Sequence, residues 1–94
     1  MHVECKLFGP FRDDAGVENV GGENDPGTTV GELLRALEAK YPPLAGRIVD
    51  PDGDGIQGST VVSVNKKYIN HLDGLSTELE EGDVVRIAPA VSGG

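Results

Sequence analysis

The chain has 94 residues with 37% hydrophobic and 26% charged side chains. That composition is enough for one modest core and too short for a second folded domain or a large internal active-site cavity. Sixteen acidic residues against eight basic ones give a net charge of −8, and a field of that sign repels phosphate backbones and anionic lipid headgroups, which argues against nucleic acid or a membrane surface as partner. Aspartate outnumbers lysine eight to four, a balance that suits solubility in high salt and suggests a halophilic source.

Val3, Cys5 and Leu7 alternate with polar neighbours, which predicts a first strand over 2–8 with one buried face, broken by Gly9-Pro10. The following stretch to Gly22 is weakly patterned; Val17 and Val20 between glycines predict a short second strand closing a hairpin. Thr29 as N-cap with Glu32 three residues on, then Val30, Leu33, Leu34, Leu37 and Tyr41 at helical spacing, predict a helix over 30–41. Pro42-Pro43 terminates it, because proline lacks the amide donor and keeps its predecessor out of the helical region. Leu44, Ile48 and Val49 predict a short helical turn filling in beneath the sheet. A strand over 60–65 with Val62 and Val64 inward, a tight turn at Asn65-Lys66-Lys67 and a brief pairing by Tyr68-Ile69 follow. The last strand, 84–88, should direct Val85 and Ile87 to the core. The expected architecture is α+β: one main amphipathic helix laid on a mixed sheet of four to five strands, with the domain over 1–88 and an extended tail over 89–94.

The N-terminus has neither a basic n-region nor a long apolar segment, and no run of about 18 apolar residues occurs, so a cytoplasmic location is expected. The single cysteine, Cys5, can form neither an internal disulfide nor a multi-thiolate metal site, and its place in the alternation marks it as a buried, inert thiol. Asp50, Asp52, Asp54 and Gly55 imitate the start of a calcium loop. However, Val61 stands at the twelfth position, where a bidentate glutamate is needed, so no metal site is expected there. His71 reads as a surface turn residue. Lys40, Lys66 and Lys67 read as solvated, each a conceivable acceptor if copies of the chain were linked to one another.

The sequence closes on Val91-Ser92-Gly93-Gly94 directly after a strand. Six residues from Pro89 reach roughly 20 Å when extended, and two glycines make the slimmest and most permissive end a polypeptide can have. Such an end can thread a narrow channel and present its α-carboxylate to a bound nucleotide. A carboxylate is a poor acyl donor until its oxygen is converted to a better leaving group, for example as an acyl-adenylate. The chain has no phosphate-cradling loop and no recognisable nucleophile–base set, so any such activation comes from another protein.

Val64-Asn65, Leu72-Asp73-Gly74-Leu75, Thr77, Leu79, Gly82-Asp83-Val84, Ile87, Pro89 and the Val-Ser-Gly-Gly end resemble the β-grasp family of ubiquitin-like sulfur carriers and small archaeal modifiers. Leu7-Phe8, Arg12, Gly16 and Val30-Gly31-Glu32-Leu33 fit the same pattern. The resemblance implies a ubiquitin-like fold and adenylation of Gly94 by an ATP-dependent, ubiquitin-activating-type enzyme, with Val91, Ser92 and Gly93 recognised as the tail. The product would be an isopeptide bond to lysines of target proteins. Alternatively it would be a thiocarboxylate serving molybdopterin synthesis or tRNA thiolation, with the large subunit of molybdopterin synthase as a further partner. It also implies a partner-binding face of Phe8, Tyr68, Arg86 and Ala88; family members often carry an aromatic residue where this chain has Ala88. On this reading the chain is a monomer, no enzyme itself, and binds no cofactor, the ATP being used by the activating enzyme. A non-covalent β-grasp interaction module with an unreactive tail is the remaining expectation, since fold does not fix function.

Overall fold

The computed structural model describes residues 1–52, 55–58 and 60–90. Strand β1 (His2–Leu7) is followed by helix α1 (Pro10–Ala15), strand β2 (Asn19–Glu23), helix α2 (Val30–Lys40), strands β3 (Thr60–Val64) and β4 (Lys67–Tyr68), and strand β5 (Val84–Pro89). Short 3-10 turns lie at Pro42–Leu44, Ile69–His71 and Gly74–Ser76. The described strands form one mixed sheet in the order β2-β1-β5-β3-β4, with β1 and β5 parallel at its centre and every other pair antiparallel.

The alternation read from the sequence sets the faces. Val3, Cys5 and Leu7, Val62 and Val64, and Val85 and Ile87 are buried, and they meet Val30, Leu34 and Leu37 of α2 in one core completed by Leu44, Ile48, Ile69 and Leu79. Helix α2 begins as the sequence predicts. The Thr29 hydroxyl accepts from Glu32 N (3.2 Å), and the Glu32 carboxylate accepts from Thr29 N (3.0 Å), a reciprocal capping box. It ends at Lys40, with Tyr41 as C-cap ahead of the two prolines.

Several boundaries differ from expectation. β1 ends at Leu7, because Gly9 at φ 57 turns the chain as soon as Phe8 N has donated to Ile87 O (3.1 Å). The weakly patterned stretch after it contains α1, opened by Pro10 and closed by Gly16 in the left-handed region at φ 76, whose N–H donates to Arg12 O. Gly21-Gly22 lie inside β2 rather than beside it. The helical turn expected around Leu44, Ile48 and Val49 is confined to Pro42–Leu44; Ile48 and Val49 are buried without helix, and Val49 instead bridges to Ile56. β5 runs one residue further than predicted, to Pro89, which pairs with Thr60.

Candidate docking face and tail site

Because β5 lies between β1 and β3, the chain leaves the middle of the sheet at Pro89 and Ala90, and the residues beside that exit come from distant parts of the sequence. Phe8 follows directly on β1; Val61 of β3 stands opposite Ala88; Ser63 stands opposite both Arg86 and Tyr68. All point away from α2, since their neighbours Leu7, Val62, Val64, Val85 and Ile87 fill the core. Phe8, Val61, Tyr68, Arg86, Ala88 and Pro89 line an open depression of about 500 Å³. With only a methyl group at position 88, the sheet sinks between the two rings. Phe8 at 37% and Tyr68 at 55% exposure are two of three large apolar side chains left in solvent among the described residues. An apolar pair held open on a rigid sheet is a surface that gains from being covered.

The four face residues named from the sequence are therefore brought to one place, together with Val61 and Pro89, which sequence reasoning missed. Gly9 belongs with them. A Cβ built on it would lie 3.3 Å from Pro89 Cγ, so the glycine lets the β1 turn close on the base of the tail. Alternation puts Val61 on the outer face, but only the register of β3 with β5 sets it and Pro89 beside the other face residues, and only the close approach to Pro89 adds Gly9.

The tail residues Val91, Ser92, Gly93 and Gly94 lie outside the described residues, as does Asp54. Cys5 is 2% exposed, and burial pushes its thiol pKa up to about 11, the buried, inert thiol expected. His71 is exposed in its 3-10 turn, its ring 6.4 Å from that of Tyr68. Lys66 and Lys67 are exposed beside Tyr68, and Lys40 is exposed at the end of α2 with its ammonium 5.6 Å from the Tyr41 ring centroid. At the two ends of the aspartate loop Val49 bridges Ile56 and Asp50 N donates to Gly55 O (2.9 Å), while Asp50 Oδ1 accepts from Asp52 N (2.9 Å). Among the described residues no α-helix directly flanks that loop as a calcium-binding hand requires. Among the described residues no helix is long and apolar enough to cross a membrane.

A five-stranded mixed sheet with its terminal strands parallel at the centre and one main helix across it is the ubiquitin-like β-grasp. The chain belongs to the ThiS family, whose description matches residues 5–94. It is 39% identical over 94 residues, the whole of both chains, to Small archaeal modifier protein 3 of Haloferax volcanii. It is 36% identical over 69 residues to Sulfur carrier protein CysO of Mycobacterium tuberculosis, covering 72% of this chain and 74% of that one. The crystal structure of SAMP1 from Haloferax volcanii superposes with a TM-score of 0.83 at 31% identity, over the whole of both chains. The relatives are thus small modifiers and sulfur carriers, and the acid excess accords with a Haloferax-like setting.

Proposed function

We propose that this chain is a ubiquitin-like protein modifier that acts as the substrate of an activating enzyme rather than as a catalyst. The Gly94 carboxylate attacks the α-phosphate of ATP held by that enzyme, forming an acyl-adenylate and releasing pyrophosphate. A lysine ε-amine of a target protein then attacks the glycyl carbonyl, expels AMP, loses a proton and leaves an isopeptide bond. Val91, Ser92 and Gly93 thread the enzyme's channel, while Phe8, Tyr68, Arg86 and Ala88 rest on its surface. The chain works as a cytoplasmic monomer and needs no cofactor of its own. The observation that carries this reading is 39% identity over the whole length of a small archaeal modifier, supported by a depression that opens where β5 leaves the sheet.

Mass spectrometry of target peptides tests it. Lysines carrying the tail's remnant should appear in cells expressing the chain and vanish on deletion of Gly94; their absence in both would refute conjugation. The CysO match favours a second reading on the same intermediate, in which sulfide sulfur displaces AMP and leaves a thiocarboxylate at Gly94 for sulfur delivery, to molybdopterin synthase or to tRNA thiolation. Intact-mass measurement separates the two, since exchange of oxygen for sulfur adds about 16 Da at the C-terminus.

A further inference from the structure

The register of the sheet draws a row across its solvent face: Asn19, Lys6, Arg86, Ser63 and Tyr68, one residue from each strand, each the cross-strand neighbour of the next. Lys6 and Arg86 are direct partners in the parallel β1–β5 pair, on strands about 4.8 Å apart. Like charges so placed destabilise a sheet. The chain has sixteen acidic residues with which to relieve them, yet neither cation forms an ion pair among the described residues. The acid two places along the same face of β1, Glu4, turns instead to His2 (3.5 Å). On a molecule of net charge −8, two neighbouring cations thus stand half-buried without an acidic partner among the described residues, in a row with exposed Asn19 and Tyr68 and with Ser63, which is 8% exposed. Arg86 also lines the apolar depression that opens beside Pro89, and Lys6 is its neighbour across the β1–β5 pair.

We propose that the Lys6–Arg86 pair receives a carboxylate of the activating enzyme. The pair thereby sets which enzyme can seat the tail. The inference rests on the modifier or carrier reading and deepens it by naming the chemistry of the docking partner. Charge decides the occupant: a target surface presenting lysine would be repelled by this row and attracted by the acidic remainder, and two cations on so acidic a chain cannot hold a polyphosphate backbone. An acidic side chain rimmed by apolar contacts satisfies both the row and the depression. It also has to belong to whatever holds the tail, because the row lies one step from Phe8 and Ala88.

The test is adenylation of Gly94, followed by pyrophosphate exchange with the ubiquitin-activating-type enzyme of the source organism, at low and at high salt. For the double variant Lys6→Gln/Arg86→Gln, KM for the chain should rise roughly tenfold with kcat unchanged, and its salt dependence should flatten. The charge-preserving swap Lys6→Arg/Arg86→Lys should keep KM within roughly twofold of the parent. The double variant should also melt roughly 2–6 °C higher, because a like-charge pair has been removed, which separates lost docking from lost folding. An unchanged KM in the double variant, with adenylate still formed on Gly94, would overturn the inference and leave the functional reading standing. So would an equal loss in the charge-preserving swap. If the parent chain forms no adenylate on Gly94, the functional reading fails and the assigned occupant falls with it.

Discussion

Asn65 holds the start of β5 in place, and replacing it should be costly although the residue is exposed. It sits at φ 49 with Lys66 at φ 74, the doubly left-handed turn that matches the twist of a two-residue hairpin, here closed by Val64 opposite Lys67. Its Nδ2 donates to Asp83 Oδ1 (2.7 Å), and its Oδ1 accepts from Val84 N (3.0 Å). Asp83 is 8% exposed and its second oxygen accepts from Glu80 N (2.8 Å), so the amide and the carboxylate brace each other across the turn into β5. Asn65→Ala removes one neutral bond, at about 1 kcal/mol, and one to a carboxylate, at about 1.5 kcal/mol or more. It also forces alanine into a left-handed backbone, for about 1 kcal/mol. The sum is about 3.5 kcal/mol, of which Asn65→Gly should recover about 1 kcal/mol because glycine tolerates the backbone. Urea unfolding followed by circular dichroism should rank parent, Asn65→Gly and Asn65→Ala in that order. Asn65→Ala within about 1 kcal/mol of the parent, or Asn65→Gly below it, would refute the bracing role.

Leu34, fully buried on α2, should lose about 2–5 kcal/mol on truncation to alanine, measured by the same unfolding curves. Gly9→Ala, at φ 57 and 3.3 Å from Pro89 Cγ, should lose about 1–2 kcal/mol by thermal melting and shift the amide resonance of Ala90. The Cys5 thiol, pushed up from 9.0 to about 11 by burial, keeps its proton in the folded state where the unfolded chain would give it up. Its contribution is whole below pH 9 and is lost as pH rises through 11. Unfolding free energy should therefore fall by about 2–3 kcal/mol across that window, and Cys5→Ala should flatten the slope.

The period-two runs in β1, β3 and β5 and the capping box of α2 were legible because each is a local rule written in adjacent residues. Helix α1 was not. Of its six residues only Phe11 is buried, too few for a helical period, and what steadies it lies far off: Arg47 pairs with Asp14 and sets its guanidinium 5.3 Å from the Phe11 ring centroid. Strand β2, Asn-Val-Gly-Gly-Glu, has almost no strand propensity; its ladder to β1 supplies the order that its side chains do not.

The candidate docking face was half legible for the same reason. Alternation assigns Lys6, Arg86, Ala88 and Val61 to the solvent face, but a period of two says nothing about which strand lies beside which. The parallel pairing of β1 with β5 joins residues some eighty positions apart, and only that pairing turns two unremarkable surface cations into neighbours. The register cannot be adjusted to part them. A slip of one residue along β5 would carry Val85 and Ile87 into solvent and drive Arg86 into the core, an unpaired guanidinium among Leu7, Val62 and Leu34. Burial of two aliphatic side chains thus fixes the position of a charge on the opposite face, and it is the core, not the surface, that makes Lys6 and Arg86 neighbours.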